Sequence, residues 1–306
     1  MALSDNMRGA LLMMGAMGGF TCGDAFMKVL GRDIPLMQLL TLRGLFVVTF
    51  LGWLTWWMGQ MRSGLSRRDW GLVLLRSVAE LAAAVLFMIA LFRMEIGNLS
   101  AIMQSLPLTV TLAGALFFGE RVGWKRLSAI LVGFGGVLLI VQPGGAGFNV
   151  YALYALASVA VVTVRDLSAR RMSRQVPSVF VAWIAAVVVL VGAGAASAFE
   201  TWAPLTATHG WLIAGASGFV IVGYILSVSS MRVGEIGFVA PFRYTSLVVA
   251  LILGAVVFDT FPDRLTLIGA GIVVATGLFT LLREWQLRRR GAAGGTRPWR
   301  VPTHRV

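Results

Sequence analysis

The stretch Asp24-Ala25-Phe26-Met27-Lys28-Val29-Leu30-Gly31-Arg32-Asp33-Ile34-Pro35 returns without a gap as Asp166-Leu167-Ser168-Ala169-Arg170-Arg171-Met172-Ser173-Arg174-Gln175-Val176-Pro177. An acid, a base four residues on, a second base four further on and a proline recur in one register. A co-linear block supports it: Glu95-Ile96-Gly97 with Gly114-Ala115 and Phe118 matches Glu235-Ile236-Gly237 with Gly254-Ala255 and Phe258. Two related halves are therefore expected over residues 1–146 and 147–285, followed by a basic tail over 286–306.

The repeated unit is overwhelmingly apolar. The chain of 306 residues is 58% hydrophobic and 13% charged, about half the charge of an ordinary soluble domain. A bilayer core of about 30 Å takes about 20 helical residues. Ten runs of that size appear, approximately Arg8 to Leu30, Pro35 to Met61, Trp70 to Phe92, Ile96 to Phe118, Trp124 to Val141, Asn149 to Arg170, Pro177 to Glu200, Gly210 to Met231, Glu235 to Phe258 and Arg264 to Trp285. The expected fold class is an all-α membrane protein of ten transmembrane helices, five per half. Because five is odd, the halves should enter the membrane from opposite sides, giving an inverted-topology repeat suited to alternating access. The first run carries Asp24 and Lys28 and no small-residue cleavage pattern, so it is expected to be retained.

A formal net charge of +13 would suggest nucleic acid in a soluble protein. Here the bases fall in short clusters between apolar runs, so no nucleic-acid partner is expected. Arg8, Arg62/Arg67/Arg68, Arg121/Lys125/Arg126, Arg170/Arg171/Arg174, Arg232 and the tail lie on one side, against Lys28, Arg32, Arg93 and Arg264 on the other. The positive-inside rule then makes both termini cytoplasmic. The Gly- and Arg-rich tail is expected to lie unstructured along anionic headgroups. Cys22 is the single cysteine, and His209 and His304 fall in a loop and a tail. That excludes an internal disulfide and a cysteine zinc site, and no metal or cofactor is expected.

Charges inside the spans are costly and should face the bundle interior. These are Asp24, Arg43, Arg76, Glu80, Arg165, Asp166 and Arg243, the last beside Tyr244; Lys28 is close enough to its helix end to snorkel. Arg76 and Glu80 stand four residues apart and can neutralise each other along one helix. Arg43 and Arg243 have no local acid, so each must meet a carboxylate across helices or a ligand anion. Asp24, Glu80 and Asp166 are candidates for proton coupling or gating, with a fixed Asp24–Arg43 bridge as the alternative. On helical wheels Met13, Met17, Phe20 and Asp24 form one stripe, and Tyr151, Tyr154, Ser158 and Arg165 another, as the wall of an aromatic cavity would. Pro107 and Pro241 fall inside the fourth and ninth runs and should kink them. Gly15, Gly19 and Gly23 offer a face for close helix packing.

With these residues in view, the chain resembles EamA-type members of the drug/metabolite transporter superfamily. The resemblance rests on Asp24-Ala-x-x-Lys28 with Pro35 and Arg43, on Phe118-Gly119-Glu120 before Gly133 to Gly136, and on Ala240-Pro241-Phe242-Arg243-Tyr244 leading to Phe261-Pro262-Asp263. The Ala-Pro-Phe-Arg-Tyr block is most similar to the branch of bacterial S-adenosylmethionine and riboflavin carriers. Asp259-Thr260 departs from the pattern where Gly119-Glu120 would repeat. The resemblance implies a bacterial inner-membrane carrier with a central site between the halves, and adds Gln104, Tyr154 and Tyr224 to the substrate-binding candidates.

A carrier for a small polar metabolite, zwitterionic or singly anionic, is the expected function. The alternatives are an exporter of drug-like or cationic compounds and a non-transporting bundle or channel. Enzymatic chemistry is not expected, since no histidine pair and no Gly-x-Ser-x-Gly elbow is present. The expected partners are the substrate and the lipid bilayer, with a second copy of the chain as a further candidate.

Overall fold

The computed structural model describes residues 4–61, 64–119, 122–145, 148–173 and 175–293. It is helical throughout: α1 Asp5–Leu30, α2 Leu36–Trp57, α3 Arg67–Arg93, α4 Ile96–Met103, α5 Leu106–Phe118, α6 Trp124–Val141, α7 Tyr151–Arg171, α8 Ser178–Ser197, α9 Ala207–Val233, α10 Ile236–Val239, a 3₁₀ turn over Ala240–Tyr244, α11 Thr245–Val257 and α12 Arg264–Ala293. Taken with α4–α5 as one span and the 3₁₀ turn with α11 as another, ten helices are long and apolar enough to cross a membrane.

Local chemistry sets the helix ends. Ser4, Ser66 and Thr206 each accept a backbone N–H one turn into α1, α3 and α9, and Pro35 and Pro177 precede α2 and α8. Gly119 and Asp259 end α5 and α11 in the left-handed conformation, with φ of 65° and 50°. The sequence departure at Asp259 is thus conformationally silent, because a short polar side chain tolerates that region. Pro107 and Pro241 do more than kink their spans. The fourth is interrupted at Gln104–Ser105 and the ninth begins in the 3₁₀ turn, so the α-helix is broken beside each proline.

The helices pack in four long pairs: α1 lies along α9 and α7 along α3, while α2 pairs with α8 and α6 with α12. The glycine face of α1 does the packing. A Cβ on Gly9 would meet Gly234 Cα at 2.8 Å, and one on Gly19 would meet the Phe219 carbonyl at 3.1 Å. Outward faces stay apolar, with Leu116, Trp124, Trp211 and Val256 each more than two-thirds exposed, as lipid contact requires. The helix α12 continues through residues 286–293, where composition predicts unstructured chain; one apolar span simply propagates its hydrogen bonds into an arginine run. Arg62, Glu120, Arg121, Arg174 and residues 294–306 lie outside the described residues.

Polar clamps tie the halves at both ends. The Glu200 carboxylate accepts the free N–H groups of Met37 and Gln38 at the start of α2, at 3.1 and 3.3 Å. At the other end, Asp69 on α3 accepts the Ser173 N–H and hydroxyl at 3.1 and 3.0 Å. Lys28 does not snorkel outward. Its ammonium donates to the carbonyls of Leu91 and Met94 at 2.6 and 2.7 Å, capping the C-terminus of α3.

Candidate functional site

The intramembrane charges converge from five elements into one alternating array. Glu80 on α3 is its centre. Arg165 on α7 donates to Glu80 at 3.2 Å and to the neighbouring Asp166 at 2.9 Å, and Arg76 approaches Glu80 at 3.8 Å from one turn away. Arg43 on α2 sits in the combined field of Asp24 and Glu80. Arg243, on the 3₁₀ turn, lies in the fields of Asp166 and Arg165. The order of charges is therefore Asp24, Arg43, Glu80, Arg165, Asp166, Arg243, alternating in sign, with Arg76 as a second base beside Glu80.

Helix geometry explains that order. Asp24 and Arg43 stand one to two turns from the end of the bundle where α1 ends and α2 begins. Arg165 and Asp166 stand at comparable depth from the opposite end, and Glu80 is midway along α3. Asp24 and Asp166 thus lie toward opposite ends of the bundle, with Glu80 between them in depth.

The array is incompletely paired. Among the described residues neither Arg43 nor Arg243 makes an ion-pair contact with a carboxylate, and the sequence alternative of a fixed Asp24–Arg43 bridge is not formed. Nη1 of Arg76 is buried with no acceptor. The pair Arg76–Glu80 exists, yet Arg165 holds Glu80 more closely. A guanidinium donor without a partner in such a site is costly unless a ligand or water meets it.

The remaining candidates divide. Tyr224 on α9 lies in the field of Arg76, and Gln104, at the break of the fourth span, donates to Ser246 on α11 at 2.7 Å. Tyr154 stacks obliquely on Tyr151, ring centres 5.9 Å apart. Tyr244 is buried with its hydroxyl against Gly277 of α12, and Phe20 lies on Gly223 of α9 beside the Met13, Met17 and Val239 cluster. These two pack helices together, as do Met13, Met17 and Ser158, whose hydroxyl bonds the Ala83 carbonyl at 3.2 Å. A helical wheel defines a stripe but not what faces it, and small residues on α9, α3 and α12 receive these side chains. Sequence reasoning did not find Glu200, Asp69 or Lys28 as clamps; an acid in the first turn of α3 was the available signal for Asp69.

Comparison with known proteins agrees with this architecture. Residues 7–142 match the EamA-like transporter family. The chain is 27% identical over 187 residues to an S-adenosylmethionine uptake transporter of Rickettsia conorii, covering 61% of this chain and 63% of that protein. It is 24% identical over 193 residues to a riboflavin transporter of Rhizobium johnstonii, covering 63% and 64%. It is 26% identical over 285 residues to a pseudopaline exporter of Pseudomonas aeruginosa, covering 90% and 96%. The match thus spans under two-thirds of the length of the first two relatives. One solved crystal structure shares the fold with a TM-score of 0.62 at 18% identity, covering 93% of this chain and 99% of the other. With the motif at Ala240–Tyr244, the ten membrane-length helices of the described residues and the match over residues 7–142, the chain is similar to the EamA-type drug/metabolite transporters.

Proposed function

We propose that the protein is a secondary carrier moving a small zwitterionic or singly anionic organic metabolite across a bacterial inner membrane. The observation that carries this is the interior charge inventory. Arg43, Arg76, Arg165 and Arg243 stand against Asp24, Glu80 and Asp166, leaving one positive charge over, and two of the guanidiniums lack an ion partner among the described residues. A ligand carboxylate or phosphate would complete the set, since the guanidinium fork matches such groups. A simple cation would meet excess like charge.

Arg243 and Arg43 are the proposed anion contacts, with Arg76, Tyr224, Gln104 and Tyr154 as flanking polar or aromatic surface. Asp24, Glu80 and Asp166 are the proposed gating or proton-carrying groups. The halves, residues 1–146 and 147–285, would act as inverted repeats rocking about this array, with both termini cytoplasmic. The cross-packed helices and the two discontinuous spans support that mechanism. Uptake and export are both operating modes of such a carrier, and the longest of the three alignments is to an exporter.

The test is flux in proteoliposomes, after thermal-shift screening of metabolites has supplied a ligand. A carrier saturates and shows counterflow, whereas a pore shows neither. Arg243→Ala should abolish flux while folded yield is retained. Wild-type flux in that variant would remove Arg243 from the site, and displacement of the ligand by simple quaternary cations alone would overturn the charge assignment.

A further inference from the structure

A second feature lies away from the charge array, at the end of the bundle where α1 meets α2, α3 ends and α7 begins. A cavity of about 650 Å³ opens there, walled by Arg32, Arg93, Tyr151, Phe92, Ile89 and the Ile34–Leu36 segment. It shares no lining residue with the array. The volume is that of a small-molecule site.

Two guanidiniums frame it, and both are held by aromatic rings rather than by acids. Arg93 lies over the Tyr151 ring at 6.0 Å and Arg32 over Phe258 at 6.0 Å. Among the described residues neither makes an ion-pair contact. The acid next in sequence, Asp33, is directed to His209 at 3.7 Å. Glu200 is occupied with the N-terminus of α2 and Glu95 lies near Lys28. No carboxylate lines the cavity. A cation over a ring face is attracted without using its N–H donors, which stay available. Phe92 and Ile89 add apolar surface to the same wall.

We propose that this cavity is a second binding site, distinct from the central array, for an organic anion that joins a carboxylate or phosphate to a ring or short apolar body. The charged group would bridge Arg32 and Arg93, and the body would lie against Phe92 and Ile89. An anion of this chemistry can come from solution, as a substrate waiting at the mouth of the carrier, or from the bilayer, as a phospholipid headgroup with its acyl chain.

The two sources separate experimentally. Protein in phosphatidylcholine nanodiscs is titrated with phenyl phosphate, with benzylamine as control, while heat denaturation is followed. The expected result is a saturable rise in melting temperature with phenyl phosphate only. Arg32→Gln/Arg93→Gln should weaken that binding by at least about tenfold, because each charge-assisted hydrogen bond to the anion is lost. Arg243→Gln should leave the rise in place, so failure of the central site and failure of this one remain distinguishable. If the source is lipid, phosphatidylglycerol nanodiscs suppress the phenyl phosphate effect, and native mass spectrometry finds phosphatidylglycerol retained by the wild type and released by the double variant. An unchanged phenyl phosphate response in the double variant overturns the proposal. So does the absence of both a response and lipid retention in the wild type.

Discussion

Glu80→Gln tests whether the interior array behaves as one electrostatic unit. The substitution keeps the shape of the side chain and removes the carboxylate that Arg165 meets at 3.2 Å and Arg76 at 3.8 Å. A charge-assisted hydrogen bond contributes about 1.5–3 kcal/mol when desolvated, and an exposed ion pair about 0–1 kcal/mol. The Glu80 side chain is 31% exposed, and Arg165 keeps Asp166 at 2.9 Å, so the loss should fall between those limits. About 1–2 kcal/mol corresponds to a drop of roughly 1.5–3 °C in melting temperature for a chain of this size. Ligand binding should move the other way. Removing one carboxylate takes the interior from one unbalanced positive charge to two. An added charge about 10 Å from the ligand, at an effective dielectric of about 20, favours an anion by roughly 1.7 kcal/mol, or more than tenfold in affinity. Differential scanning fluorimetry measures the first effect and titration of the metabolite found by screening measures the second. A folded variant with unchanged or weaker affinity for a singly anionic ligand would refute the shared-array account and make Glu80 a purely structural partner of Arg165.

Three further outcomes follow from single contacts. Arg43→Ala should reduce flux severely without loss of folded protein, because no carboxylate contacts Arg43 that the substitution would orphan; a collapse in yield would instead identify it as the structural partner of Asp24. Gly269→Ala should destabilise the α6–α12 contact by about 1–3 kcal/mol in thermal unfolding, since its Cβ would lie 2.5 Å from the Gly136 carbonyl, a backbone atom with little room to yield. Gly271→Ala, with open space around it, is the matched control and should be neutral. Asp263, outside the spans, is held below the ordinary carboxylate range by hydrogen bonds from Thr266 and from the Gln142 amide, which it accepts at 2.8 and 2.6 Å. A lowered value means stability that is complete above the unfolded value and is lost as pH falls through the folded one. The melting difference between wild type and Asp263→Asn, below about 1 kcal/mol for so exposed a cap, should therefore shrink as pH drops under about 4.

The sequence alone determined the membrane class and the number of spans, because these depend on run length and short-range pattern. Twenty apolar residues read as a span wherever they sit, and Pro107 and Pro241 interrupt a helix by removing a donor whatever surrounds them. The same local chemistry marked the set of costly interior charges. Their partners were decided only by tertiary structure. Glu80 and Arg165 are 85 residues apart, so the closeness of one to the other depends on α7 lying along α3, which no periodicity encodes. Within one helix, the spacing of Arg76 and Glu80 gave their pair, while the closer cross-helix partner Arg165 had no local signal. The aromatic stripes show the same limit. Phe20 has the spacing of a cavity wall, yet it fills space left by Gly223 on a facing helix. A side chain's face follows from its own helix, but whether that face meets a ligand or a neighbour depends on what the rest of the chain brings opposite it.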